Sequence, residues 1–240
     1  MSALLEVEAV DGGYGQAQVL RSISLRLEPG EQVGLFGPNG HGKTTLLRTI
    51  SGLRRPWKGE IRFGDTRITH LAPRKIVTLG LVHVPQGNVL FPRMTVYENL
   101  MLGAYSPRAW DNRFKNLERV YALFPRLRER KDQLCRTLSG GERQMVSIGM
   151  GLMSNPVLLM LDEPTLGLAP KVKDELKKAI GEIAGSGLAL IVVDQDVEFL
   201  LDLTSRLYLI EQGRVALQTG RGQEIDEGQI LEMYFGRSRL

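Results

Sequence analysis

The sequence has little of several features that would each indicate a particular class of protein. Its single cysteine, Cys135, excludes an internal disulfide and a metal site built from several cysteines, and it suits a reducing compartment. No apolar run approaches the ~18 residues that a membrane-spanning helix needs. The first residues lack the basic and apolar stretches of a signal peptide. We therefore expect that, if the protein acts at a membrane, another subunit crosses it.

Charge of one sign is also scarce, since the formal net charge over 240 residues is only +4 and no block of Lys and Arg stands out. Such a balance permits an anionic partner such as a nucleotide, but it gives no support to nucleic-acid binding. The hydrophobic content of 42% is ordinary for a globular protein and is enough to bury a core. We expect one large domain, or a domain with an inserted subdomain.

Three glycines lie in the stretch 37–44, which matches the phosphate-binding pattern G-x4-G-K-[ST]. Before it, the short apolar run Gln32–Phe36 predicts a buried strand, and after it residues 45–51 predict a helix that Gly52 ends. In this context backbone N–H groups and the helix N-terminus can surround a polyphosphate. The predicted nucleotide-binding loop contains Gly37, Pro38, Asn39, Gly40, His41, Gly42, Lys43, Thr44 and Thr45.

We expect three side chains of this loop to have different roles. Lys43 would reach the β- and γ-phosphates of a nucleotide, and the Thr44 hydroxyl would ligate Mg²⁺. The side chain of His41, in the variable part of the loop, is expected to face solvent rather than to act as a ligand.

A second stretch ends in two carboxylates. Residues 157–161 are apolar throughout, which predicts a strand buried on both faces of a parallel sheet, and Asp162 and Glu163 follow it directly. Ligands collect at the carboxyl edge of such a sheet. Asp162 can hold Mg²⁺ through water and Glu163 can polarise an attacking water, whereas without the phosphate-binding loop the pair would be read as a solvated turn.

For two further residues, the sequence leaves two possible roles open. Tyr14 lies on the turn predicted at residues 12–15, where it is either a surface aromatic or a platform for a purine ring. Gln86 follows the predicted strand 79–84, where it is either a metal ligand or phosphate sensor, or simply a polar loop residue.

The middle of the chain, residues 89–156, changes from strand patterns to helical periodicity. Two capping boxes, Thr95 to Glu98 and Ser139 to Glu142, predict helix starts. The second helix start, lined by Gly140 and Gly141, is either an anion site or a plain helix N-terminus. Apolar spacing over residues 114–124 predicts a helix whose Phe114, Tyr121 and Phe124 pack within the subdomain. The apolar loop residues Val89, Leu90 and Phe91 either form a docking surface or are buried.

These patterns predict an α/β fold. Its core is a parallel sheet of the P-loop NTPase (RecA-like) type formed by residues 1–88 and 157–240. An N-terminal antiparallel β layer, from strands over 4–10 and 19–27, precedes the phosphate-binding loop, and residues 89–156 form an inserted α-helical subdomain. A hairpin over 206–217 and a short helix near 230–235 complete the prediction.

The motifs, in this order, resemble the nucleotide-binding subunit of an ABC transporter. The loop alone would indicate only a P-loop NTPase, but Leu138-Ser-Gly-Gly-Glu142 before the Asp162-Glu163 strand narrows the class. The finer resemblance is to LivF-type ATPases of high-affinity branched-chain amino-acid importers. It rests on Met153-Ser-Asn-Pro156, Leu161 to Pro170 and Val193-Asp-Gln195.

This resemblance implies roles for the open positions. Tyr14 would stack on adenine, Gln86 would lie near Mg²⁺ and the permease, and Glu163 would be the catalytic base. Gln195 takes the place where most relatives have a switch histidine; its amide can still donate a hydrogen bond but cannot carry a positive charge. Ser139, Gly140 and Gly141 would contact the γ-phosphate bound by an opposite subunit. Met150 stands where many relatives have arginine.

The resemblance also implies the setting. We expect an ATP-hydrolysing subunit that uses ATP and Mg²⁺, pairs with a second ATPase subunit as a homo- or heterodimer, and binds transmembrane permease subunits. It would lie on the cytoplasmic face of the membrane and act indirectly with a substrate-binding protein. The alternatives are the same motor serving urea, amides or other amino acids, and a soluble ABC ATPase acting on nucleic acid or ribosomes. A regulatory module without turnover is disfavoured because Glu163 is present.

Overall fold

A computed structural model of the chain describes residues 3–87 and 89–219. Its strands are β1 Leu5–Tyr14, β2 Ala17–Leu27, β3 Gln32–Phe36, β4 Lys58–Phe63, β5 Thr66–Arg67, β6 Leu81–Val84, β7 Leu158–Asp162, β8 Ala189–Val193, β9 Arg206–Glu211 and β10 Arg214–Gln218. Its helices are α1 Lys43–Ile50, α2 Pro73–Thr78, α3 Val96–Gly103, α4 Pro107–Asp111, α5 Arg113–Leu123, α6 Pro125–Glu129, α7 Gly140–Met153, α8 Pro170–Gly185 and α9 Val197–Leu203. A 3-10 turn spans Cys135–Thr137.

The described residues form two sheets. One is antiparallel, with the order β2-β1-β4-β5, and corresponds to the predicted β layer. The tight turn between β1 and β2 contains Gly15 and Gln16 only, so β1 runs longer than predicted. Tyr14 is therefore the last residue of β1, paired with Ala17, and is not on the turn as predicted.

The other sheet has the order β10-β9-β3-β8-β7-β6, in which β9, β3, β8, β7 and β6 are parallel. Every residue of β7 and β8 is buried, which is what their continuous apolar sequences predict for strands covered on both faces. The predicted α/β fold with a parallel sheet is confirmed. The parallel order brings the carboxyl ends of β3, β6, β7 and β8 to one edge, where ligands collect in such sheets.

Two hydrophobic cores lie on opposite faces of this sheet. The first, with Leu5, Ile23 and Leu47, fills the space between the antiparallel sheet, α1 and one face of the parallel strands. The second, with Leu100, Ile148 and Leu190, packs helices against the other face. The sheet is thereby fixed on both sides, which gives its carboxyl edge a rigid support.

Residues 89–156, all described, contain helices α3 to α7, as the periodicity predicts. Both predicted capping boxes are formed, with Thr95 and Ser139 as the N-caps. The expectation for the aromatic residues is right for Tyr121 and Phe124, which are buried, and wrong for Phe114, which is 58% exposed. The Phe114 ring instead lies against the guanidinium of Arg113 at the surface.

In the loop before α3, the three apolar residues do not share one environment: Val89 and Phe91 are exposed, whereas Leu90 is partly buried. The predicted hairpin is present as β9 and β10. The helix predicted near 230–235 lies outside the described residues. Among the helices of residues 3–87 and 89–219, none combines the length and the apolar composition of a membrane span.

Candidate functional site

A cavity of about 390 Å³ opens at the carboxyl edge of the parallel sheet. The loop after β3 forms one side of it, and the ends of β6, β7 and β8 supply the other. Its lining residues are Asn39, Gly40, Gly42, Lys43, Thr44, Thr45, Gln86, Glu163, Leu166 and Gln195. Residues selected from four separate parts of the sequence, namely the phosphate-binding loop, Gln86, Glu163 and Gln195, therefore meet in one place.

The shape of the loop depends on glycine at two positions. Gly37 has φ +140°, and a Cβ there would lie 2.1 Å from the carbonyl oxygen of Ile210. Gly42, with φ +106°, is the N-cap of α1, so the helix begins at Lys43 with its first N–H groups directed at the loop. Side chains other than hydrogen are strained at such φ values. The cavity thus has the backbone donors and the helix N-terminus that bind phosphate.

The Lys43 ammonium group is held inside this loop. Its Nζ donates hydrogen bonds to the carbonyl oxygens of Gly37, at 2.7 Å, and Pro38, at 3.0 Å, and the residue is 4% exposed. Burial lowers the pKa of Lys43, while the nearby carboxylates, Glu163 first among them, act in the opposite direction. The cation is therefore poised between fixed acceptors and can turn to phosphate oxygens of a bound nucleotide.

Thr44 and Asp162 form a pair that can accept a metal ion. The Thr44 hydroxyl donates to Asp162 Oδ1 at 3.1 Å, whereas Asp162 Oδ2 is buried and has no hydrogen-bond partner. Burial raises the pKa of Asp162 to about 6. An unpartnered buried carboxylate oxygen beside a hydroxyl fits Mg²⁺, which binds oxygen and is commonly held by one or two carboxylates together with phosphates. In the described part of the chain, no three His, Cys, Asp or Glu side chains form a metal cluster of their own.

Glu163 lies between two glutamine amides. Gln86 Nε2 donates to its Oε2 at 3.0 Å, and Gln195 Nε2 donates to its Oε1 at 3.3 Å. The backbone of Glu163 has φ +48°, a left-handed conformation that is uncommon for a residue with a side chain. Its N–H group is fixed by the carbonyl of Val193 at 2.8 Å. Strain of this kind clusters at functional sites, and here it points the carboxylate into the cavity.

Sequence reasoning missed two residues that join these loops. Thr165 Oγ1 donates to Asp194 Oδ2 at 2.8 Å, and both residues are buried. Asp194 Oδ1 also accepts the backbone N–H groups of Gln195 and Asp196. The available signal was that Asp194 follows a buried strand, as Asp162 does.

Tyr14 lies beside the cavity rather than in its lining. Its hydroxyl accepts from Thr45 Oγ1 at 3.5 Å and from Arg48 Nη1 at 3.3 Å, and the guanidinium of Arg54 stacks 4.0 Å from its ring centre. The Thr45 hydrogen bond is the first of several contacts that lower the pKa of Tyr14. One face of the ring is thus covered by a cation.

His41 and the signature residues lie outside the cavity lining. The His41 ring accepts the N–H of Gln212 through Nδ1 at 3.1 Å, so it joins the loop to the β9–β10 turn. Ser139 is exposed at the N-terminus of α7, with Gly140 and Gly141 behind it. A Cβ on Gly141 would lie 2.2 Å from Val172 Cγ1, so glycine allows α7 to approach α8. Within one chain these three residues are not brought to the cavity.

Comparisons with known proteins agree with this geometry. A family model described as ABC transporter matches residues 20–166. The chain is 36% identical over 233 residues to the high-affinity branched-chain amino acid transport ATP-binding protein BraG of Pseudomonas aeruginosa, a match covering 97% of this chain and 100% of BraG. It is 32% identical over 236 residues to the lipopolysaccharide export system ATP-binding protein LptB of Haemophilus influenzae, with 98% of each chain covered.

Solved structures of ABC transporter cassettes have the same fold as this chain. The solved structure of an ATP-binding cassette of an ABC transporter in its ADP conformation superposes with a TM-score of 0.80 at 26% identity. The superposition covers 98% of this chain and 100% of that one. The two sheets and the helices between them therefore follow an arrangement already seen with a nucleotide.

Proposed function

Because this chain belongs to the ABC transporter family, we propose that it is the ATP-hydrolysing subunit of an importer for branched-chain amino acids. The resemblance predicted from its motifs is confirmed, and the protein is an ATPase that converts ATP and water to ADP and phosphate. The observation that carries the proposed chemistry is the position of Glu163, held between Gln86 and Gln195 at the edge of a phosphate-binding loop.

In this proposal the chain's own groups position ATP and the attacking water. The loop N–H groups and Lys43 bind the phosphates, and Tyr14 stacks on adenine. Glu163 accepts a proton from the attacking water, and Gln195 donates a hydrogen bond that orients the carboxylate and the terminal phosphate. The contribution of the protein is mostly positioning and neutralisation of charge, since the phosphoryl group passes directly to water and forms no covalent bond to the protein.

Thr44, Asp162 and Gln86 would hold Mg²⁺ with the phosphates of ATP. Bound there, the ion would supply positive charge against the β- and γ-phosphate oxygens. The support for this assignment is the unpartnered oxygen of Asp162 beside the Thr44 hydroxyl.

The position of Ser139, Gly140 and Gly141 supports a dimer. These residues lie at the start of α7, where Ser139 is exposed, and away from the cavity of their own chain, so an opposite subunit would offer them to the bound nucleotide. One solved cassette that is 26% identical to this chain is described as part of an ABC transporter complex, which supports assembly with further subunits. We propose the helical residues 89–156 as the subdomain that moves this signature, and 1–88 with 157–240 as the catalytic core.

The proposed setting is the cytoplasmic face of the membrane, where permease subunits would hold the protein and a substrate-binding protein would deliver the amino acid. The similarity to BraG over the full chain supports import of branched-chain amino acids. The similarity to LptB, nearly as extensive, makes an export system the second candidate. Urea, amides or other amino acids would use the same ATPase with a different permease.

Gentle detergent extraction of the native complex, followed by identification of the bound proteins, tests this proposal. We expect permease subunits, a second ATPase subunit and an amino-acid-binding protein that binds leucine, isoleucine or valine. Recovery with an export permease, or with a binding protein for urea or an amide, would contradict the amino-acid assignment alone. Recovery with RNA, DNA or soluble proteins only would contradict the transporter assignment.

A further inference from the structure

Two buried side chains connect the loop after β7 to the loop after β8. Thr165 is 2% exposed and Asp194 is 4% exposed, and the Thr165 hydroxyl donates to Asp194 Oδ2 at 2.8 Å. The other oxygen of Asp194 accepts two backbone N–H groups, from Gln195 at 2.8 Å and from Asp196 at 3.0 Å. This one carboxylate therefore receives three hydrogen bonds, two from its own loop and one from the neighbouring loop.

The loop of Gln195 is also anchored on its far side. Asp196 Oδ1 caps α9 by accepting the N–H of Phe199 at 3.0 Å, and its Oδ2 accepts from Lys177 of α8 at 2.7 Å. Gln195 thus stands between two fixed aspartates, although its own side chain is exposed. Away from the cavity, the hydrogen bond between the side chains of Thr165 and Asp194 ties this rigid loop to the loop of Glu163.

We propose that the Thr165–Asp194 hydrogen bond is a positioning contact that sets the distance between the Glu163 carboxylate and the Gln195 amide. Glu163 is two residues from Thr165, and Gln195 is adjacent to Asp194, so a shift of one loop against the other changes the 3.3 Å contact between Gln195 Nε2 and Glu163 Oε1. Neither Thr165 nor Asp194 lines the cavity, so both act through their neighbours. The inference rests on the proposed role of Glu163 in hydrolysis.

Thr165 is the better target for a test. Burial lowers the pKa of Lys43 and Asp194 is among the carboxylates that oppose this, so a change at Asp194 also alters the charge around Lys43. Thr165→Val keeps the shape of the side chain and removes only the hydroxyl, whereas Thr165→Ser keeps the hydroxyl. Thr204→Val is the matched control, because Thr204 is a buried threonine whose hydroxyl donates to the Leu200 carbonyl at 2.7 Å, outside the site.

The experiment compares steady-state ATP hydrolysis by the full chain carrying each substitution, purified with the subunits that remain bound to it. We expect Thr165→Val to lower kcat by about ten- to a hundredfold with KM for ATP changed less than about twofold, since a displacement on the order of 1 Å can cost a hundredfold. Thr165→Ser should restore most of kcat, and Thr204→Val should hydrolyse ATP like the parent. In a Glu163→Gln background, Thr165→Val should cause no further loss.

Three results would overturn the inference: a kcat for Thr165→Val within about twofold of the parent, an equal loss with Thr204→Val, or no rescue by Thr165→Ser. If Thr165→Val does not fold, Thr165→Ala, which also removes the hydroxyl and leaves the charges around Lys43 unchanged, must show the same loss of kcat at unchanged KM, and normal turnover there would contradict the inference. Full turnover by Glu163→Gln would contradict the proposed role of Glu163, while loss of turnover there with a normal Thr165→Val would contradict only the positioning contact.

Discussion

Replacing Glu163 with glutamine removes one negative charge and leaves the shape of the side chain almost unchanged. The side chain accepts hydrogen bonds from Gln86 at 3.0 Å and from Gln195 at 3.3 Å, and an amide can replace the carboxylate toward only one of them without facing donor to donor. Both contacts are at the surface, so we expect little loss of folding stability. The main consequence of Glu163→Gln is the removal of a base from the cavity.

The size of the effect follows from the role. A positioned general base contributes about 10²- to 10⁴-fold to a rate. At about 1.4 kcal/mol for each tenfold change, the activation free energy of hydrolysis should rise by roughly 3–5 kcal/mol. Binding of ATP should be equal or tighter, because Glu163 no longer places a negative charge near the phosphates, while Lys43 and the loop N–H groups remain.

The assay measures ATP binding and single-turnover hydrolysis on the same preparation. Glu118→Gln serves as the matched control, since it neutralises an exposed carboxylate of α5 that pairs with Arg128, remote from the cavity. Hydrolysis by Glu163→Gln within about tenfold of the parent would refute the assignment of Glu163 as the base. Loss of ATP binding in Glu163→Gln would show that Glu163 is needed for the site's structure instead.

Three further outcomes follow from the structure. Burial and, secondarily, Arg48 lower the pKa of His83 from its usual 6.5 to about 4, so the unfolded state binds this proton first. In chemical denaturation, the free energy of unfolding of the parent should therefore fall by a few kcal/mol relative to that of His83→Gln as pH drops from about 6.5 to 4. Gly141→Ala should cost about 1–3 kcal/mol of stability, measured by the same method, because its Cβ would lie 2.2 Å from Val172 Cγ1. Arg54→Ala should weaken ATP binding up to about fivefold in a titration, because stacking on Tyr14 contributes about 0.5–1 kcal/mol; unchanged binding would remove Arg54 from the site.

Most of the secondary structure could be predicted because its signals are local. The apolar runs of β3, β7 and β8 and the capping boxes of α3 and α7 each lie within a few neighbouring residues. The signals that determine where an element ends are less local, as β1 shows. Its pairing with β2 continues to Tyr14 across irregular positions, which a count of alternating residues does not reveal.

The contacts within the site could not be predicted because they join residues far apart in sequence. The Thr44 contact with Asp162 spans 118 positions and the Gln86 contact with Glu163 spans 77. The motifs indicated which residues matter, but only the sheet order determines which of their atoms meet. Phe114 shows a further limit of sequence patterns. Helical spacing correctly predicted the helix that contains it, but did not reveal that this side of the helix faces solvent.

Uptake of labelled leucine into vesicles containing the co-purified complex tests directly whether hydrolysis at this site drives import of a branched-chain amino acid. With ATP on the side of this subunit and the binding protein on the other, the parent should accumulate leucine in proportion to ATP hydrolysed. The complex carrying Glu163→Gln should accumulate none. Rapid hydrolysis without leucine movement, or leucine uptake that Glu163→Gln leaves intact, would contradict the account.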